Sequence, residues 1–358
     1  MKILICVENL VMDGLKRVST VIGNELAKKI EVNYYSLSDS ASFFKLTAPL
    51  ITSKYPVNTG KSFRGKEPLI NYQDQITDLI RVLKVGKYDA VILTAGLLTS
   101  FIPKIKNQLP NMHCVAWMHN SYETYMNNYY QFMKAEFTAG LAAADRVVVL
   151  TNHDLEGFSN HQTKTVLLYN PLTINVNQLS NLDNPVISMV SRIDTQQKGL
   201  DLLLSAANQL QDGWTIKLAG DGPDFNDLQK EIKRLGLESK LQLLGTLADQ
   251  QLQEHYRTSS IFLMTSRWEG MPLVIGEAMN FGLPIISMYN TGAYEYLLDN
   301  KFGIITDDHL VADLVEKLNR LTQSKKARAY WADKSLKRSQ SFLLQNIAAQ
   351  WKVMLETI

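Results

Sequence analysis

The chain has 358 residues, of which 46% are hydrophobic and 20% charged, and its formal net charge is +2. This composition excludes disordered and fibrous classes, and the near-neutral charge argues against a nucleic-acid-binding protein. The length is too great for one compact core and suits two domains.

Short apolar runs alternate with helical patterns along the whole chain. The runs that read as strands are residues 3–7, 32–35, 90–93, 114–118, 146–150 and 166–168 in the first half. In the second half they are residues 187–190, 215–219, 241–244, 261–264, 284–288 and 303–305. They are continuous rather than alternating in polarity, as parallel strands covered on both faces are. Helical stretches between them predict doubly wound α/β structure, present twice. Residues 40–68 break the pattern. They hold Phe43, Phe44 and the basic residues Lys45, Lys54, Lys61, Arg64 and Lys66 against a single acid, Glu67. This reads as an irregular surface connection or as a loop contacting an acceptor or a membrane. Asn170-Pro171 through Asn184-Pro185 is rich in turn formers and predicts the linker. Residues 342–358 form an amphipathic helix with Leu343, Leu344, Ile347, Trp351 and Leu355 roughly on one face.

Charge is unevenly spread, with fifteen Lys/Arg against nine Asp/Glu in residues 1–110. That excess fits a solvated surface as well as it fits an anionic membrane or acceptor. The two cysteines, Cys6 and Cys114, each sit in a strand-like run, which suggests core thiols and a cytoplasmic setting. No apolar run reaches membrane-spanning length, so any membrane contact is expected to be peripheral.

The segment with most chemistry is Ser266-Arg-Trp-Glu-Gly-Met-Pro-Leu-Val-Ile-Gly-Glu-Ala-Met279, which follows the strand at 261–264. Gly270 allows a turn, and Pro272 suits the first turn of a helix, where its missing N–H costs nothing. Backbone N–H groups of Gly270, Met271, Leu273 and Val274 then surround an end that binds phosphate well. Glu269 lies just before this helix and Glu277 within it, on two sides of that end. Two cations, Arg192 and Lys198, follow the strand at 187–190 and can hold a diphosphate and neutralise charge on a departing group. Gly220 and Gly222 lie in a glycine-rich turn after the strand at 215–219.

The frame Ser-x-x-Glu-Gly-x-Pro-x-x-x-x-Glu-Ala-Met, followed by Gly282-Leu-Pro284, resembles glycosyltransferase family 4, glycosyl transferases group 1. Residues 190–199 are similar to that family's Gly-Arg-Leu…Lys-Gly stretch, with Ser191 replacing a glycine. The resemblance implies a GT-B fold, an α/β architecture of two Rossmann-like, doubly wound parallel-sheet domains facing a central cleft. It implies an acceptor-binding domain over residues 1–170, with helix 342–358 packing back on it, and a donor-binding domain over residues 171–341.

By the same resemblance, Glu269 contacts the donor sugar and Glu277 the ribose. Gly14, in Asp13-Gly-Leu-Lys-Arg17, matches a glycine that approaches the donor phosphate, although Asp13 replaces its neighbour and could instead reach the acceptor. His119 matches a histidine near the anomeric carbon. Glu295, in Asn290-Thr-Gly-Ala-Tyr-Glu295, matches a Gly-Gly-x-x-Glu turn. The implied activity is retaining, metal-independent hexosyl transfer from a nucleotide sugar, by default a UDP-sugar, to a surface polysaccharide, teichoic acid or lipid-linked acceptor. Alternatives are a GT-B epimerase or phosphorylase, or a non-catalytic subunit that binds nucleotide sugar. No cofactor is expected. The remaining histidines (His113, His153, His161, His255, His309) show no metal-ligand spacing.

Overall fold

The computed structural model describes residues 1–39, 41–58, 63–161, 164–306 and 310–358, so Lys61 and His309 lie outside the described residues. The chain forms two compact units, Met1–Pro171 together with Leu344–Ile358, and Leu172–Leu343.

The first unit carries seven strands: β1 (Lys2–Val7), β2 (Glu31–Ser36), β3 (Leu50–Thr52), β4 (Ala90–Thr94), β5 (His113–Trp117), β6 (Arg146–Val149) and β7 (Thr165–Leu167). They lie in the order β3-β2-β1-β4-β5-β6-β7, and every pairing is parallel. The second unit carries β8 (Val186–Val190), β9 (Thr215–Ala219), β10 (Leu241–Gly245), β11 (Ile261–Met264), β12 (Ile285–Met288) and β13 (Ile304–Thr306). Their order is β10-β9-β8-β11-β12-β13, again with parallel pairings. Both doubly wound parallel sheets expected from the sequence are therefore present.

Central strands are apolar on both faces because helices cover both: Ile3, Leu4, Ile5, Cys6 and Val7 are all fully buried. The edge strand β10 departs from this, with Leu241 buried and Gln242 and Leu244 exposed. One sequence expectation is corrected in the basic 40–68 segment. It contains β3, a three-residue edge strand paired with β2 through Tyr34, Tyr35 and Ser36. So short a run among turn residues has no readable period.

The segment 172–185 also differs from a free linker. It has no regular structure, as its Asn and Pro content predicts, but it is fastened along the second unit. Asn280 Nδ2 donates to Ile174 O (3.2 Å), Ser180 N to Phe281 O (3.0 Å) and Asn184 Nδ2 to Thr258 O (2.9 Å). The buried Arg328 donates to Leu182 O. At the end of the chain, the helix Leu344–Glu356 packs in the first unit against the helix Gly14–Leu26. Trp351 is fully buried there, its ring 4.5 Å from that of Trp117, and Arg146 donates to Thr357 O. Ile347, Trp351 and Leu355 are buried as the amphipathic pattern expects, while Leu343 and Leu344 are only partly covered.

Burial sets how stability responds to acid. His255, on the helix Asp249–Arg257, places Nε2 2.7 Å from the Ser188 hydroxyl of β8, and burial holds its pKa down to about 4. Burial likewise holds His119 down to about 3. The unfolded chain protonates these rings near pH 6.5. Their contribution is therefore complete above about pH 6.5 and is lost as pH falls toward the folded values, at about 1.4 kcal/mol per pH unit for each ring. Asp154, pushed up to about 6 by burial, acts in the opposite sense over the same window. Urea unfolding between pH 7 and pH 4.5 should show falling stability, with a shallower slope in His255→Gln. An identical slope in the variant would refute the role of His255.

Candidate active site

In doubly wound sheets, ligands bind beyond the carboxyl ends of the strands where the strand order reverses. In the second unit that point lies between β8 and β11. The loops leaving these two strands carry Lys198 and Glu269.

After β8, Asp194 caps the short helix Thr195–Lys198 by accepting from Gln197 N (3.1 Å). Gly199 ends it with φ +61°, and a Cβ there would sit 2.3 Å from Thr265 O, so only glycine lets the turn rest on the end of β11. Thr265 Oγ1 donates to Lys198 O (2.8 Å). After β11, Arg267 N donates to Gln197 O (2.8 Å), and its guanidinium makes a two-pronged pair with Asp201 (2.9 and 2.7 Å). These contacts clamp the two loops together. Lys198 Nζ consequently lies 2.7 Å from Glu269 Oε1, and the two side chains are only 13% and 11% exposed.

Beyond Glu269 the chain turns at Gly270, whose carbonyl lies 2.4 Å from where a Cβ on Gly292 would be. Thr291 Oγ1 donates to Glu269 O (3.3 Å) and Asn290 Nδ2 to Ser266 O (3.2 Å). The Asn290–Gly292 turn thus supports the loop from behind. Gly270, Met271 and Pro272 are buried. The helix that follows is Leu273–Asn280, and Pro272 is its N-cap rather than a member of its first turn. No side chain caps this end, so the leading amides of Leu273 and Val274 have no side-chain acceptor.

Glu277, the fifth residue of this helix, is 2% exposed. Its Oε1 accepts from Thr173 Oγ1 (2.6 Å) and its Oε2 from the Tyr256 hydroxyl (3.0 Å). The burial of Tyr296 and the field of Glu277 together push that tyrosine's hydroxyl far above its ordinary range. Sequence reasoning missed Thr173, Tyr256, Asp201 and Arg267. Only the Asn/Pro-rich segment hinted at Thr173, and it carries no motif.

Arg192, two residues past β8, is exposed; its carbonyl accepts from Asp194 N (3.1 Å), while its guanidinium makes no hydrogen bond or ion pair among the described residues. Gly220 and Gly222 are explained by packing. Cβ atoms at these positions would lie 1.8 Å from Ser191 O and 2.3 Å from Ile193 O, and Gly220 has φ +146°. The turn leans on the Arg192 loop, with Ile193 N donating to Asp221 O (2.9 Å). Gly220→Ala should cost about 1–3 kcal/mol, measured by urea unfolding, and a variant as stable as the parent would refute the contact. Glu295 is 3% exposed, on the helix Thr291–Leu297, and its carbonyl accepts from Arg338 Nη2 (2.8 Å).

Gly14 and His119 lie in the first unit. Gly14 opens the helix Gly14–Leu26, and Asp13 is that helix's N-cap, its Oδ1 accepting from Leu15 N (2.8 Å). The carboxylate that departs from the family pattern is thus occupied in capping. His119 follows β5, its ring tilted by 40° against that of Trp117 (4.5 Å between centroids), and its Nε2 is buried without a partner among the described residues. No group of three or more metal-ligating side chains occurs among the described residues. No described helix is long and apolar enough to cross a membrane.

Residues 173–338 match the family model of glycosyl transferases group 1. An uncharacterized glycosyltransferase of Haemophilus influenzae is 26% identical over 351 residues, covering 96% of each chain. The amylovoran biosynthesis glycosyltransferase AmsD of Erwinia amylovora is 26% identical over 357 residues, covering 96% of this chain and 95% of that one. The crystal structure of Anabaena HepE in complex with UDP and glucose superposes with a TM-score of 0.81 at 19% identity over the whole of both chains, which supports the GT-B architecture of two parallel-sheet α/β units. Residues 173–338 thus carry the match to the glycosyl transferases group 1 family, and the chain is similar to glycosyltransferases over nearly its whole length.

Proposed function

We propose that the protein is a retaining, metal-independent hexosyltransferase that uses a UDP-sugar and forms an α-linkage on a glycan or lipid-linked acceptor. The observation that carries this reading is the Lys198–Glu269 pair, held beside an uncapped helix start at the strand-order reversal of the second unit. The leading amides at Leu273 and Val274 suit a diphosphate. Lys198 and the unpaired Arg192 supply the positive charge that stabilises a leaving nucleoside diphosphate, the task a metal ion performs elsewhere. Glu269 accepts from hydroxyls of the donor sugar, and Glu277 from the ribose diol. By the family resemblance, Gly14, Gly220, Gly222 and Glu295 are supporting positions, and His119 acts near the anomeric carbon.

The UDP and glucose held by HepE support the choice of donor, and the name of AmsD supports surface polysaccharide assembly. Such work would place the protein in the cytoplasm, with peripheral membrane contact through its basic first half. Thermal unfolding with UDP-, GDP- and ADP-glucose tests the donor. A ligand at a hundred times its Kd adds about 2.7 kcal/mol of stability, and no shift with any of the three would sink the proposal. An inverted anomeric product by NMR would overturn the retaining mechanism.

A further inference from the structure

Three rings of the first unit form an unbroken row. Trp351, on the helix Leu344–Glu356, has its ring centroid 4.5 Å from that of Trp117, the last residue of β5, with the planes at 58°. Trp117 lies in turn 4.5 Å from His119, at 40°. The chain is still extended between these two residues, since Met118 N donates to Val148 O of β6 (2.8 Å). Side chains two apart in an extended chain share one face of the sheet, and that face is the one Trp351 covers.

The two tryptophans carry a cost. Trp117 and Trp351 are 1% and 0% exposed, and neither indole nitrogen donates a hydrogen bond among the described residues. A buried tryptophan usually finds a partner for its N–H, and a phenylalanine would fill the same core without an orphaned donor. What two adjacent indoles offer over smaller rings is a wide, flat and rigid surface.

That surface ends on His119. The His119 backbone is fixed, because its N donates to the Tyr125 hydroxyl (3.0 Å). Its ring has no such tether, and neither ring nitrogen makes a hydrogen bond among the described residues. A functional imidazole is ordinarily oriented by the hydrogen bond that its second nitrogen makes. Here the contact with Trp117 takes that place, and Trp117 is held by Trp351. Trp351 is itself anchored. Ile347 and Leu355, four residues before and after it, are buried, and Arg146 Nη2 donates to Thr357 O just past the helix (2.9 Å).

We propose that Trp351 is a positioning residue that acts through Trp117 to fix the orientation of the His119 ring, so that the helix Leu344–Glu356 serves transfer as well as stability. The part concerning transfer rests on the transferase reading. The part concerning orientation stands on the geometry alone.

The test compares Trp351→Ala and Trp351→Phe with Ile347→Ala, which removes a fully buried side chain of the same helix outside the row of rings. Trp351→Ala should lower kcat for transfer from the UDP-sugar by about tenfold to a hundredfold, the scale of a misplaced catalytic group, with the Kd for UDP unchanged. Trp351→Phe, which keeps a ring, should recover most of that loss. Ile347→Ala should lose stability to urea but keep the parent kcat. In a His119→Ala background, Trp351→Ala should lower kcat no further, because nothing is left to position. Carbon-13 relaxation of the His119 ring should give an order parameter below about 0.6 in Trp351→Ala and the parent value in Ile347→Ala.

An unchanged order parameter in Trp351→Ala, an equal loss of kcat in Ile347→Ala, or a full further loss in the His119→Ala background would each overturn the proposal. If Trp351→Ala does not fold, Trp351→Leu, which fills the core without a flat ring, carries the same comparison. A parent protein that transfers no sugar from any UDP-sugar would overturn the transferase reading instead, and the relaxation measurement would still decide whether Trp351 holds the His119 ring.

Discussion

Lys198→Met is expected to lower stability by about 3–5 kcal/mol, because it leaves the Glu269 carboxylate almost buried and unpaired. Glu269 is only 9% exposed, and the described contacts of its carboxylate consist of the 2.7 Å bond from Lys198 Nζ. The double variant Lys198→Met/Glu269→Gln removes both charges and should recover most of that loss. Transfer should not recover with it. If Lys198 neutralises the leaving diphosphate, both variants lose about a hundredfold to a thousandfold in kcat, the usual effect of removing one transition-state charge partner. Urea unfolding and release of UDP from the UDP-sugar separate the two effects. A single variant as stable as the parent would refute the buried pairing, and a double variant with restored turnover would refute the role of Lys198.

Glu277→Ala should reduce affinity for UDP by about tenfold to a hundredfold, as expected when a charged acceptor of hydrogen bonds is removed. Its partners make a finer test. Thr173 and Tyr256 each donate to one oxygen of the carboxylate (2.6 and 3.0 Å) and so orient it. Thr173→Val and Tyr256→Phe should each raise the Kd for UDP by about fivefold, near 1 kcal/mol, with kcat little changed. Thr173→Ser, which keeps the hydroxyl, should behave as the parent. Isothermal titration with UDP measures all four variants. A normal Kd in Glu277→Ala would remove Glu277 from the nucleotide site, and a normal Kd in both partner variants would show that the carboxylate needs no positioning.

Much of the fold was legible because parallel strands in a doubly wound sheet are buried on both faces. That burial writes an unbroken apolar run into the sequence at each central strand, from residues 3–7 to 284–288. Edge strands carry a weaker signal. β10 alternates because one face is open, and β3 is too short and too close to turn residues to show any period. The segment 172–185 looked like a linker because it has no period either, yet it is held by single hydrogen bonds such as that from Ser180 N to Phe281 O. A bond between residues a hundred positions apart leaves no local mark on composition.

The candidate site divides in the same way. The residues that form one turn and one helix start, from Glu269 through Gly270 and Pro272 to Glu277, could be read along the chain, because a turn and a helix cap need particular residues at fixed spacing. The glycines at 220 and 222 were also visible, but not the reason for them, since the backbone they approach belongs to residues 191–193. What only the tertiary structure decided is which groups meet. The pairing of Lys198 with Glu269 depends on two loops leaving adjacent strands of one sheet and on the Arg267–Asp201 clamp between them. The grip of Thr173 and Tyr256 on Glu277 depends on chain segments 104 and 21 positions away. Periodicity and turn chemistry act between near neighbours in the chain and so show in the sequence. Charge pairing and burial act between neighbours in space, which the order of strands in the sheet sets.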